Sequence, residues 1–128
     1  MLKSVGLDKS KARLVNDPGR FQGVVHQQVL VSSADSDEVT LTAVFFDDGA
    51  RTLPHTHSND QVLHVVEGDC VVADEHDHLH LHAGDVAFVK KGEWHWHGAE
   101  RGHSTCHISI RSGQETDWHQ DKKNWDQF

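Results

Sequence analysis

The chain has 128 residues, a length that favours a single domain with a buried core. Its formal charge of −8 with neutral histidines argues against a nucleic-acid backbone as its partner. Thirteen histidines are the unusual feature of the composition, and at this density we expect some of them to bind a metal or to transfer protons.

The sequence predicts neither a membrane-spanning helix nor a signal peptide. No apolar run of about 18 residues occurs, so we expect no membrane-spanning helix. The N-terminal segment lacks the apolar stretch of a signal peptide, which predicts a cytoplasmic location. Cys70 and Cys106 have no metal-type spacing, and reduced thiols are expected for both.

In chain order, a polar arm over residues 1–20 is followed by a series of short apolar, β-branched segments with turn residues between them. This pattern predicts an all-β barrel or sandwich over residues 21–112 and leaves residues 113–128 as a polar tail. The tail is expected to form a short helix or a strap on the barrel or on a partner. The predicted strands cover residues 21–31, 39–46, 61–67, 70–73, 78–82, 85–89, 94–97 and 104–110, with Gly68–Asp69 as one of the turns.

The stretch Gly49–Gly68 holds the first group of candidate metal ligands. His55 and His57 lie two residues apart, so on a strand their side chains project from the same face. Residues 58–60 read as a turn that would bring Gln61 back opposite them. Two imidazoles and an amide oxygen form a partial ligand set for a divalent metal.

A second histidine-rich stretch, over residues 74–82, has a simpler interpretation. His78, His80 and His82 alternate with leucines, which predicts a hairpin strand with one solvated histidine face. A second metal site there is the alternative, although no oxygen or sulfur ligand completes the set.

A second pair of histidines with the same spacing occurs about 40 residues after the first pair. His95 follows the turn at Gly92, and His97 shares its strand face. His97 is expected to orient a ligand or a bound water, the alternative being a histidine at the rim of the site. Trp94 and Trp96 have the opposite phase, so we expect them on the outside of the sheet or against a second subunit.

These two stretches resemble the two motifs of the cupin superfamily. The first motif is matched by the spacing of Gly49, His55, His57, Gln61 and Gly68, with Gln61 in the position that is usually acidic. The second is matched by Gly84, Gly92 and His95, while Lys90 and Ala99 replace its proline and asparagine. The resemblance implies a double-stranded β-helix, or jelly-roll barrel, with one metal held by His55, His57, Gln61 and His95.

A closer resemblance concerns the run GARTLPHTH, the neutral Gln61, and KGEWHWHGA. Together with Thr105-Cys106-His107 these segments are similar to the manganese-type cupin hydroxynitrile lyases. The resemblance implies manganese as the first candidate metal, with Fe, Ni or Zn as alternatives. It also implies that His107 is a pocket histidine able to act as a catalytic acid or base, the alternative being a hydrogen-bonded core histidine.

Three functions are compatible with these residues. The first is a metal-dependent lyase that makes or breaks a C–C bond beside a hydroxyl. The second is a metal-dependent dioxygenase, and the third is a non-catalytic cupin that binds or senses a small molecule. In each case the partner is a small molecule, without nucleic acid or membrane, and the chain is expected to pair as a homodimer. The neutral Gln61 leaves a metal-free, degenerate cupin as a further alternative.

Overall fold

A computed structural model describes residues 1–113 and 115–128. Within these residues the chain forms twelve strands and two short 3-10 helices, Lys9–Lys11 and Trp125–Gln127, and no α-helix. None of the described helices is both long and apolar enough to cross a membrane. The strands are β1 Arg13–Leu14, β2 Phe21–Gln22, β3 Val25–Val31, β4 Thr40–Phe46, β5 Arg51–Thr52, β6 Thr56–His57, β7 Gln61–Ala73, β8 His78–His82, β9 Val86–Val89, β10 Trp96–Ala99, β11 Thr105–Arg111 and β12 Thr116–Asp117.

The main sheet is antiparallel throughout and curls around the long strand β7. Its order is β1-β3-β4-β11-β7-β10-β5-β2, and β8 and β9 also pair with β7. β9 pairs with residues 61–64 of β7 and β8 with residues 69–73, so β7 belongs to both halves of the curled sheet. A short ladder joins β12 to β6. The all-β class predicted from the sequence is confirmed.

The turn predicted at Gly68–Asp69 is wrong, because β7 runs without a break through these residues. Gly68 has a φ of 73°, and a Cβ there would collide with the carbonyl oxygen of Ser104. The pairing of β7 with β11 also shifts register between Cys106 and His107. Gly68 is therefore the point at which the strand bends from one half of the sheet to the other.

The polar face of β4 points into the molecule rather than to solvent. Thr40 and Thr42 line an internal cavity, whereas Ala43 and Phe45 on the opposite face pack in a buried apolar cluster. A second cluster of buried aliphatic residues, built around Leu63, fills the space between β7, β8 and β9. The more polar face of β4 therefore belongs to the cavity.

The tail folds back on the barrel, which confirms the expectation of a strap. Trp125 is buried and its Nε1 donates a hydrogen bond to the Thr52 carbonyl at 2.9 Å. It packs in one cluster with Trp94 and Trp96, which are 7% and 3% exposed. These two tryptophans therefore pack on the outside of the sheet, one of the two expected positions, where the chain's own tail covers them in place of a second subunit.

Two of the three histidines of the hairpin have the predicted solvated position, whereas His78 is half-buried against Trp96 and Phe128. His80 and His82 are exposed on β8 and contact acidic neighbours, His80 with Glu100 and His82 with Asp69 at 2.7 Å. Among the described residues, the one histidine group with metal-ligand spacing contains no residue of β8.

Candidate metal centre

The four predicted ligands lie close together. His55, His57 and Gln61 line one cavity, and His95 adjoins His55 and Gln61. His55 pairs with His95 through an isolated β-bridge, and His57 ends β6. Gln61 begins β7 beyond the turn at residues 58–60. All four side chains are buried, with exposures from 1% to 6%.

The rings of these histidines lie close to one another. The ring centroid of His55 is 4.3 Å from that of His95 and 4.8 Å from that of His57. The centroids of His57 and His95 are 5.2 Å apart. Nε2 of His95 lies 3.1 Å from Oε1 of Gln61.

Hydrogen bonds fix which nitrogen of each ring faces the cavity. Nδ1 of His55 donates to the Leu53 carbonyl at 2.8 Å, and Nδ1 of His95 donates to the Glu93 carbonyl at 2.9 Å. Because a carbonyl can only accept, both rings keep an unprotonated Nε2 in their neutral form. Partners that orient a metal-binding imidazole in this way are a regular feature of metal sites.

Gln61 is oriented in the same sense. Its Nε2 donates to Oγ of Ser109 at 2.8 Å, which leaves Oε1 toward the histidines. Oε1 of Gln61 and Nε2 of His95 are then two electron-pair donors facing each other across 3.1 Å. Neighbouring ligands lie about 3 Å apart around an ion whose metal–nitrogen distances are about 2.1 Å. The pair therefore fits two adjacent positions of one coordination sphere.

Burial keeps these imidazoles neutral and able to bind a metal. It lowers the pKa of His57 to about 3, with a further contribution from the Arg111 guanidinium, and the pKa of His95 to about 4. The pKa of His55 also lies well below its ordinary value, first through burial and then through the neighbouring His95. Nε2 of His57 is buried and has no hydrogen-bond partner among the described residues.

His97 was predicted to orient a ligand or a water, but it lies close enough to His55 and His95 to be a ligand itself. One nitrogen from each of His55, His95 and His97 falls within 4.8 Å of the others, so these three residues form a group able to bind a metal ion. Nε2 of His97 is buried without a partner in the described part of the chain. The donor set and the unpartnered ring nitrogens fit a divalent metal with nitrogen and oxygen ligands.

His107 lies behind His97, away from the cavity surface. It is completely buried, and its Nε2 is 2.8 Å from Nδ1 of His97. Burial lowers the pKa of His107 to about 4 and also lowers that of His97, so the two rings share one proton between these nitrogens as a neutral pair. Among the described residues, His97 lines the cavity, whereas His107 does not. His107 is connected to the cavity through its hydrogen bond with His97.

Several cavity residues were not found from the sequence. Ser109 and Arg111 follow His107 at two-residue intervals on β11, and the alternation of that strand could have placed them on the same inward face. Trp118 comes from the tail, and its ring centroid lies 4.2 Å from that of His55. No sequence signal pointed to Trp118. The cavity has a volume of about 340 Å³, within the range of small-molecule sites.

The sequence is similar to a known protein family and to a characterised enzyme. The model of a family described as "Cupin domain" matches residues 43–120. The chain is 36% identical over 103 residues to an (R)-mandelonitrile lyase of Granulicella tundricola, a match that covers 77% of this chain and 78% of the lyase.

Solved structures resemble the fold along most of the chain. A cupin-like protein from Thermotoga maritima has a TM-score of 0.78 at 24% identity, covering 96% of each chain. The polyketide cyclase RemF from Streptomyces resistomycificus has a TM-score of 0.77 at 19% identity, covering 100% of this chain and 94% of the cyclase. At these identities the likeness concerns the fold alone, and it confirms the predicted double-stranded β-helix.

Proposed function

The chain belongs to the cupin family, and from this membership we propose that it is a metal-dependent lyase acting on a C–C bond beside a hydroxyl group of a small molecule. The observation that carries the proposal is the set of neutral nitrogen and oxygen donors that faces the cavity. The similarity to a mandelonitrile lyase supports the choice of reaction.

We assign the metal to His55, His57, Gln61 and His95. His97 lies within ligand distance of His55 and His95, and in this assignment its Nε2 stays unbound and is available to accept a proton. Manganese is the first candidate, and Fe, Ni and Zn suit the same donors. Because all four assigned ligands are neutral, a bound divalent ion would keep its charge and supply Lewis-acid polarisation of a substrate oxygen. Ser109 and the carbonyls of Leu53 and Glu93 hold the ligands in orientation.

In this proposal His107 takes part in catalysis indirectly, by exchanging a proton with His97. Nε2 of His97 has no hydrogen-bond partner in the described part of the chain, and in this proposal it accepts the proton of the substrate hydroxyl. The C–C bond breaks as the carbonyl forms, and the leaving group departs with the electron pair of that bond. Nδ1 of His97 then passes its own proton to Nε2 of His107. The second ring lets the proton move away from the reacting atoms. His97 is therefore the catalytic base and His107 its positioning partner.

Cleavage of mandelonitrile by the metal-loaded protein tests this proposal. We expect benzaldehyde release above the uncatalysed rate, and a loss of about 10²- to 10⁴-fold in kcat for His97→Ala with its metal content retained. His80→Ala, on the exposed hairpin, is the matched control and should keep full activity. Release of benzaldehyde at the uncatalysed rate by the wild-type protein would contradict the lyase assignment.

The same protein sample separates the two alternatives. A dioxygenase predicts that protein purified from its own host contains iron and consumes O₂ with its substrate. A binding or sensing cupin predicts ligand binding without turnover.

A further inference from the structure

Arg111 places a positive charge inside the cavity, on the same sheet face as the metal ligands. It is the last residue of β11 and pairs in register with Gln61 on β7 and with Thr40 on β4. Residues directly opposite each other in an antiparallel pair share a face, so the guanidinium projects on the side of Gln61. Arg111 accordingly lines the cavity together with His55, His57 and Gln61.

This charge has no acidic partner among the described residues. Arg111 is half-buried, its Nε is buried without a hydrogen-bond partner, and its terminal nitrogen donates only to the Glu115 carbonyl at 3.2 Å. The other arginine of the cavity, Arg20, is paired with Asp17 at 2.6 Å. Within the described residues, the cavity lining includes no Asp or Glu.

The neutral metal ligands would add to the excess of positive charge in the cavity. A divalent ion held by imidazoles and an amide keeps its whole charge, so the loaded cavity would contain the ion and one guanidinium without a compensating anion. Burying unpaired charge is costly, and a ligand of opposite charge relieves that cost. The cavity is therefore built to receive an anion.

We propose that the substrate of this site carries a carboxylate, which pairs with the Arg111 guanidinium while its hydroxyl-bearing carbon faces the histidines. A planar guanidinium matches a carboxylate through two parallel hydrogen bonds. Since Arg20 is already neutralised by Asp17, one free guanidinium suits a singly charged carboxylate better than a phosphate dianion. This inference rests on the proposed function and makes small hydroxy acids its preferred substrates, with mandelonitrile as an uncharged analogue that the same site can still cleave.

Equilibrium binding of two matched probes tests the proposal. Mandelate and mandelamide share the phenyl ring and the hydroxyl and differ in the charge of the third group. With zinc-loaded protein in a titration calorimeter, we expect mandelate to bind about 10- to 100-fold more tightly than mandelamide, the value of a charge-assisted hydrogen-bonded pair.

Variants separate the guanidinium from the metal as the source of this preference. Arg111→Gln should lose most of the preference and keep only the part that the charge of the metal contributes. Arg111→Lys should keep a larger part, and Arg101→Gln, an exposed arginine outside this cavity, should keep all of it. Equal binding of the two probes by the wild type, or an undiminished preference in Arg111→Gln, would overturn the proposal. Metal content and thermal unfolding of each variant verify that the site is intact.

The outcome of this binding experiment does not depend on whether the proposed lyase function is correct. Binding at equilibrium needs no turnover, so a carboxylate preference can be observed even if mandelonitrile is not cleaved. Conversely, cleavage of mandelonitrile without a carboxylate preference would support the lyase and reject the role of Arg111.

Discussion

Gln61 determines the electrostatic character of the candidate metal centre. An acidic residue at this position would add a negative charge, whereas the amide leaves the centre with neutral donors only. The amide needs an external partner to keep its oxygen toward the histidines, and Oγ of Ser109 is that partner at 2.8 Å. The orientation of the ligand therefore depends on a residue that the cupin motif does not include.

Removal of this partner should weaken metal binding without removing a ligand. We expect Ser109→Ala to lower metal affinity about tenfold, the lower end of the range for residues that orient a ligand. Competition with a chromophoric chelator measures the effect. Ser112→Ala, an exposed serine just beyond β11, is the control, and an unchanged affinity in Ser109→Ala would contradict the orientation assigned to Gln61.

The buried histidines should make the metal-free protein sensitive to acid. Burial lowers the pKa of His95 and of His107 to about 4, whereas an unfolded histidine has a pKa of about 6.5. Between these values the unfolded chain binds more protons than the folded one, so the free energy of unfolding falls as pH is lowered. This contribution is complete above pH 6.5 and is lost progressively toward pH 4.

Urea denaturation of metal-free protein at pH 7 and pH 5 measures this dependence. We expect the protein to be less stable at pH 5, and the difference to shrink in His107→Asn but not in His80→Asn. Equal or greater stability at pH 5 would show that the buried rings are not held neutral.

At the scale of the elements, β7 determines how the two halves of the sheet meet. Its bend at Gly68 needs a positive φ, which strains any residue with a side chain, and a close approach to the Ser104 carbonyl oxygen, with which a Cβ would collide. Gly84 also has a positive φ, of 97°, but a Cβ there would meet no atom within 4 Å.

Alanine at these two glycines separates backbone strain from steric collision. Gly84→Ala should cost about 1–3 kcal/mol, the range for an ordinary residue in this conformation. Gly68→Ala should cost more than about 4 kcal/mol, because the backbone of Ser104 must also move. Chemical denaturation measures both values, and equal costs would show that β7 can bend without the contact at Gly68.

The strands were predictable because apolar alternation is a local property of the sequence. What failed depended on contacts distant in the chain. Gly68–Asp69 has the composition of a turn, and only its pairing with β11 makes it part of a continuous strand. Trp94 and Trp96 had the correct phase, but the side that they occupy is covered by a tail about 30 residues later in the sequence.

At the scale of the whole molecule, the barrel brings together residues from β4, β6, β7, β10, β11 and the tail around one cavity. The histidine pairs were predictable because each pair is encoded within one short segment. Arg111 and Trp118 were not, since their placement depends on the register of β11 and on the return of the tail. The homodimer stays a prediction, and the buried tryptophans no longer support it.

Elemental analysis of the protein purified from its own host tests the central claim, that the buried histidine group is a metal centre. We expect about one equivalent of a divalent transition metal in the wild type and in His80→Ala, and a loss of that metal in His55→Ala and His95→Ala. Circular dichroism establishes that each variant is folded. A folded wild type without metal, or a His55→Ala variant that keeps its full metal content, would contradict the account.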